Sequence, residues 1–112
     1  MITRDSFADQ LRAAVPEAKP VVAEHLADND EELLLHLLMG DLQRMAVSAF
    51  DDGDLELTRR LLDFVDQSFR DGDADVNNAV AVSFVEHFGA LPLESDALLD
   101  LWPSALRREL GR

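Results

Sequence analysis

Apolar residues recur at every third or fourth position along almost the whole chain, and this spacing limits the fold more than any other feature. Phe7, Leu11 and Val15 show it near the amino terminus, where it marks one face of an α-helix. Strand signals are nearly absent, because the chain has no Tyr and no alternating apolar run bounded by turn residues. Its 112 residues suit one domain. The sequence therefore predicts an all-α fold, a single-domain bundle of about five to six helices over residues 1–112.

The beginning of the chain predicts two helices. Asp5 or Ser6 supplies the N-cap of the first helix, and Pro16 ends it. The second helix extends from about residue 17 to residue 27 and has a proline near its first turn, where the missing N–H is tolerated.

A third helix is expected over roughly residues 30–50. Asn29 and Glu32 have the spacing of a capping box at its start. The first half of this helix is apolar on nearly every side, which is typical of a buried helix. Gly40 lies in its middle and costs about 1 kcal/mol relative to Ala. We therefore expect Gly40 to permit the close approach of a neighbouring helix.

Two similar segments follow, at residues 51–69 and 70–88. Each contains a glycine turn, an aspartate N-cap (Asp54 or Asp73) and an amphipathic helix. Shared capping chemistry explains the likeness more simply than a duplication does. The two segments predict a helical hairpin over residues 54–88.

The remainder of the chain predicts a short C-terminal helical segment. Residues 91–93 form a loop, Ser95 caps a short helix, and a last helix covers Ser104 to Leu110. Trp102 precedes this last helix, at a break in the helical pattern. A single tryptophan at such a position is most often a packing anchor for the terminal segment.

The chain is strongly acidic, with 23 acidic and 10 basic residues and a net charge of −13. Such a surface repels nucleic-acid phosphates and anionic lipids. No apolar run approaches the roughly 20 residues that span a bilayer, and no signal peptide is recognisable. We therefore expect a cytoplasmic protein that binds neither nucleic acid nor membrane. The charge favours a basic protein partner, or it serves only to keep the domain in solution.

Motifs that specify a reaction are missing from the sequence. There is no cysteine, and no histidine has a second histidine three or four positions away, as a zinc site on a helix requires. The acidic turn at residues 71–75 does not begin a calcium loop. Val76 stands at the sixth position, where such a loop needs glycine, and Val82 stands at the twelfth, where it needs glutamate. The sequence predicts no catalytic residue, metal or cofactor, and it favours a protein that is not an enzyme.

One group of polar residues is a candidate site. His36 interrupts the apolar run of residues 33–39, and Arg44 lies two turns further on. With Asn78 and Glu86 of the later helix, these residues would line a polar cleft. The alternative is a histidine whose ring nitrogens are satisfied by its neighbours.

Four stretches of the chain carry a resemblance to a known type of family. They are residues 24–29 (EHLADN), 32–37 (ELLLHL), 39–41 (MGD) and 78–86 (NAVAVSFVE). Together, within residues 20–88, they resemble an uncharacterised bacterial family of small helical proteins. Such families are often suspected to be immunity proteins of toxin systems. The resemblance implies an all-helical fold and transfers no catalytic residue.

Three functional hypotheses follow. The first is a non-catalytic protein–protein interaction module, in its most specific form an acidic immunity-type inhibitor of a basic toxin. The second is a small-molecule-binding protein or enzyme with a cleft near His36. The third is a homo-oligomeric structural module such as a homodimer, because the apolar sides of the buried helices exceed what one small domain readily covers.

Overall fold

The computed structural model describes residues 1–89 and 94–111, and within them the chain is helical. The α-helices are α1 (Arg4–Ala14), α2 (Lys19–Asp28), α3 (Leu35–Asp51), α4 (Leu55–Asp71), α5 (Ala74–Val80), α6 (Asp96–Leu99) and α7 (Ser104–Leu110). A 3₁₀ turn (Pro16–Ala18) precedes α2, and a π turn (Ala81–Val85) continues α5. No strand occurs among the described residues. The predicted all-α bundle is confirmed, with seven helices where five to six were expected.

The first helix begins earlier than predicted. Its N-cap is Thr3, whose extended backbone allows the side chain to accept the Ser6 N–H at 3.2 Å. The Ser6 hydroxyl accepts the Thr3 N–H in return, at 3.0 Å. Asp5 and Ser6 as N-caps are therefore wrong, because this reciprocal pair already satisfies the first free N–H groups of the helix.

The third helix begins later than predicted. Asp30 and Glu31 have φ angles of 55° and 63°, a left-handed conformation that cannot continue into an α-helix. The predicted capping box of Asn29 and Glu32 is therefore wrong. The helix starts only at Leu35, after an extended residue with no side-chain cap.

The crowded glycine is Gly72 rather than Gly40. A Cβ atom on Gly40 would meet only the side chain of Arg44, at 3.6 Å. The expectation that Gly40 permits close helix packing is therefore wrong. A Cβ atom on Gly72 would lie 2.2 Å from the Ser68 carbonyl oxygen and 2.7 Å from Val76 Cγ1. No side chain fits there without movement of the backbone.

Gly72 lies in the turn of the predicted hairpin, where the amino terminus of the chain also pairs. The Ile2 N–H donates to the Asp71 carbonyl at 2.9 Å, and the Ile2 carbonyl accepts the Asp73 N–H at 2.9 Å. The helices on either side, α4 and α5, pack against each other. Asp54 and Asp73 cap them through their side chains, as predicted.

The core lies where α3 packs against α4 and against α5 with its π turn. The C-terminal segment attaches to this core through Trp102, which is 5% exposed. Its ring centroid lies 5.5 Å from that of Phe84 and 5.2 Å from that of Phe88. The predicted anchoring role of Trp102 is confirmed, and Ser95 caps α6 as expected. The predicted loop at residues 91–93 lies outside the described residues.

Candidate functional site

A concavity lined by described residues lies between α2, α3 and the start of α4, and we call it the α2–α3 groove. It has a volume of about 680 Å³. Apolar side chains form part of its lining: Val21, Leu37, Met45, Ala49 and Leu57. Val21, Met45 and Leu57 are half-buried, and Leu37 is 55% exposed. The groove therefore presents apolar surface to solvent.

Carboxylates surround this apolar lining. Glu24 and Asp28 belong to α2, Asp41 belongs to α3, and Asp52 follows the last residue of α3. Asp41 forms an ion pair with Arg44, the one cationic side chain among the described residues of the lining. The other three carboxylates make no hydrogen bond or ion pair with any described residue. Their negative charge is therefore not neutralised by any described side chain.

Two of these free carboxylates lie at the C-terminal ends of helices. Asp28 is the last residue of α2, and Asp52 is the C-cap of α3. A helix carries partial negative charge at its C-terminus, where a carboxylate is repelled rather than stabilised. Asp52 also lies two residues before Asp54, the N-cap of α4, and the positive N-terminus of α4 offsets the repulsion from α3. Asp28 has no such compensation among the described residues, so the stability of α2 alone does not account for an acid at this position.

His25 connects the two helices that form the walls of the groove. Its side chain lies on α2, and the residue is 3% exposed. The Nε2 atom accepts the backbone N–H of Leu34 at 3.0 Å, and the Nδ1 atom lies 3.5 Å from Asp41 Oδ2. One imidazole thus links α2 to the residue that precedes α3 and to a carboxylate of the lining. This arrangement positions the two walls of the groove relative to each other.

A second and smaller concavity, which we call the His36 groove, contains part of the predicted polar cleft. It has a volume of about 350 Å³, and both His36 and Asn78 line it. Leucine side chains of α3 and of the segment before it supply the apolar wall, and Arg4 and Asp75 complete the lining. Leu37 lines both grooves and so forms the ridge between them.

The His36 ring contacts the π turn. His36 Nδ1 lies 2.6 Å from the hydroxyl oxygen of Ser83. Ser83 is buried, and it is not among the described residues that line the groove. The contact therefore orients the imidazole and does not present the hydroxyl to a ligand. His36 therefore has a hydrogen-bond partner within the protein and also lines the groove.

The other two residues of the predicted cleft lie elsewhere. Arg44 lines the α2–α3 groove and pairs with Asp41. Glu86 is exposed after the π turn and lines neither of these grooves. The structure thus brings His36 and Asn78 together and separates both from Arg44 and Glu86.

Sequence reasoning missed the α2–α3 groove, although a signal was present. Leu37, Asp41, Met45, Ser48 and Asp52 recur at intervals of three and four residues, which places them on one face of α3. A helical stripe that mixes apolar and acidic residues is not explained by core packing alone. It indicates a helix face that is not wholly buried in the protein's own core.

The chain matches the model of a family over residues 8–112, and the family is described as a domain of unknown function, DUF7674. It belongs to this family. The predicted membership of an uncharacterised family is thereby confirmed, over a longer part of the chain than the motifs covered. Comparison with curated proteins found no match, and neither did comparison with solved structures.

Two further findings concern this DUF7674 domain as a whole. No described helix is both long enough and apolar enough to cross a bilayer. The described residues contain no group of three or more His, Cys, Asp and Glu side chains arranged to hold a metal ion.

Proposed function

We propose that this member of DUF7674 is a non-catalytic binding protein whose α2–α3 groove receives a basic protein partner. The observation that carries the proposal is the set of three free carboxylates, on Glu24, Asp28 and Asp52, around a solvent-accessible apolar lining. One of them, Asp28, is placed where it destabilises its own helix. A cationic partner would offset the repulsion between this carboxylate and the negative end of the helix.

The net charge of the chain supports the same partner chemistry. At −13, the field of the whole protein attracts a basic partner and accelerates their encounter. Pairs at the rim of such an interface are exposed, so salt weakens the association. Apolar contacts in the groove would supply the part of the affinity that salt does not remove.

Affinity capture from extracts of the source cells tests the proposal. The wild-type chain is compared with a groove variant, Glu24→Gln/Asp28→Asn, and with a matched control, Asp63→Asn/Glu109→Gln. Asp63 and Glu109 are exposed and lie on α4 and α7, away from the groove. Each double variant removes two negative charges by the same chemistry.

We expect one basic protein to be captured by the wild-type chain and by the control, and to be lost from the groove variant. Raising the salt concentration should weaken capture of this protein by both the wild-type chain and the control. Equal capture by both double variants, or no basic protein captured by the wild-type chain, would contradict the proposal.

The most specific form of the proposal is an immunity protein that neutralises a basic toxin. The small size of the domain and its acidic groove suit an inhibitor that covers a cationic surface. Expression of the captured partner in a sensitive host, with and without the chain, tests this form. We expect growth arrest by the partner alone and rescue by the wild-type chain but not by the groove variant. A partner that leaves growth unchanged contradicts the toxin hypothesis.

A second candidate function is small-molecule binding in the His36 groove. The observation that favours it is the position of His36 and Asn78 around one mostly apolar concavity, next to a π turn. Such turns occur frequently at functional sites. Screening small apolar molecules with hydrogen-bonding groups by NMR tests it. Shifts at Asn78 that disappear in His36→Ala support this function, and a groove that responds to no compound contradicts it.

A further inference from the structure

We propose that the segment received by the α2–α3 groove is a basic amphipathic α-helix that lies along α3. This inference rests on the proposed function and adds the conformation and chemistry of the bound segment. It follows from the length of the groove, from its lining and from the kind of backbone that the protein offers to a partner.

The length of the groove suits a helix. Its lining on α3 extends from Leu37 to Asp52, which is about 22 Å at 1.5 Å per residue. A partner helix of about four turns covers the same distance. Helices that dock in grooves use apolar residues spaced three and four apart, and this spacing matches the stripe on α3.

The lining defines what the bound helix must present. Leu37 and Met45 offer apolar contact along its centre, and a thioether adapts readily to different partner side chains. Glu24 and Asp28 stand on the α2 side, and Asp52 stands at one end. A helix with one leucine-rich face flanked by lysine or arginine satisfies both features.

An extended partner segment fits this surface less well. Peptides that bind as strands add to an exposed sheet edge, which supplies backbone hydrogen bonds. Residues 1–89 and 94–111 contain no strand, and both walls of the groove are helices, which offer no sheet edge. The groove therefore recognises side chains, and a helix presents side chains in the required register.

Synthetic peptides provide the probe. The first is a Leu/Lys peptide of about 14 residues with a helical repeat of leucine. The second has the same composition in an order that gives no helical stripe, and the third replaces every lysine of the first with glutamate. Binding to the full chain is measured by titration calorimetry at low and moderate salt.

Two variants of the chain locate the binding. Leu37→Lys places a cation on the ridge of the groove, and the residue is already 55% exposed. Leu55→Lys is the matched control, because Leu55 is 41% exposed and does not line the groove. The two variants carry the same change in charge and hydrophobicity.

We expect the helical Leu/Lys peptide to bind with one peptide per chain and the glutamate peptide not to bind. Leu37→Lys should weaken binding at least tenfold more than Leu55→Lys does. Equal weakening by the two variants indicates unspecific charge attraction and overturns the inference. So does equal affinity for the peptide without a helical stripe.

The remaining outcomes separate this inference from the proposed function. A cellular partner that is lost from the groove variant while the helical peptide fails to bind overturns the helix and leaves the proposed function in place. A dimer seen by light scattering and dissociated by Leu37→Lys but not by Leu55→Lys identifies a second copy as the occupant and overturns the inference. Without a groove-dependent cellular partner, the proposed function fails whatever the peptides do.

Discussion

The imidazole of His25 accepts the backbone N–H of Leu34, with 3.0 Å between Nε2 and the amide nitrogen. This bond requires an unprotonated Nε2, so a neutral His25 carries its proton on Nδ1, the nitrogen nearer to Asp41. The ¹⁵N shifts of the ring should show the Nδ1–H tautomer. A proton on Nε2 would contradict the geometry.

Replacement of His25 should also reduce stability. His25→Leu keeps the apolar volume but leaves the Leu34 N–H without its acceptor, which costs about 1–3 kcal/mol. Urea unfolding measures the loss. His87→Leu is the control, because His87 is exposed and should change the free energy of unfolding by less than about 0.5 kcal/mol. Equal effects of the two substitutions would show that the bond contributes nothing.

The start of α3 illustrates what sequence alone does not supply. The spacing of Asn29 and Glu32 matched a capping box, but the backbone turns left-handed at Asp30 and Glu31. The pairing of Leu34 with a histidine nine positions earlier depends on how α2 packs on α3. Local propensity contains no information about such a contact.

Gly40 and Gly72 should respond oppositely to alanine. Gly40 is in a helix interior with room for a Cβ atom, so Gly40→Ala should stabilise the fold by about 0.5–1 kcal/mol. In Gly72→Ala the new methyl group would overlap the Ser68 carbonyl, and overpacking of this kind costs about 1–3 kcal/mol. Thermal unfolding of both variants measures the contrast. A destabilised Gly40→Ala protein would imply a constraint on α3 that the contacts do not show.

Trp102 should be the main attachment of the C-terminal segment. Trp102→Ala removes the contacts with Phe84 and Phe88 and should cost about 3–5 kcal/mol. Hydrogen exchange should then show α6 and α7 unprotected while α3 and α4 remain protected. Trp102→Phe, which retains an aromatic ring, should recover much of the loss. Uniform loss of protection would mean that the segment is not a separate unit of stability.

Features that depend on residues close together in the sequence could be predicted, whereas features that depend on tertiary packing could not. The caps at Asp54, Asp73 and Ser95 were predicted correctly because an N-cap depends on residues three positions apart. His36 and Asn78 line one groove, whereas Arg44 lines the other. Which face of α3 meets α2 is decided by tertiary packing, which the local spacing of residues does not reveal.

The ion pair between Glu17 and Arg60 should give the chain a specific acid sensitivity. Hydrogen bonds from the Arg60 guanidinium lower the pKa of Glu17 from its ordinary value of 4.5 to about 2. Because the folded-state pKa is the lower one, the stabilisation is present above pH 4.5 and is lost as the pH falls towards 2. Glu17→Gln should therefore flatten this part of the stability–pH curve.

NMR titration of the Glu17 carboxyl measures the shift directly. In the wild-type chain its midpoint should lie near 2, and in Arg60→Gln it should return towards 4.5. Glu109→Gln, which removes an exposed acid of α7, should leave the Glu17 midpoint unchanged. A midpoint that does not respond to Arg60→Gln would exclude the guanidinium as the cause.

Asp28 should show opposite effects on stability and on binding. It ends α2 without a counter-ion among the described residues, so Asp28→Asn removes repulsion from the helix C-terminus and should stabilise the fold by about 0.3–1 kcal/mol. The same substitution removes a carboxylate from the α2–α3 groove and should weaken binding of the helical Leu/Lys peptide. Asp63→Asn, within α4, should alter neither property appreciably. Loss of stability in Asp28→Asn would show that the carboxylate serves the fold, and it would remove the physical reason for assigning this acid to a partner.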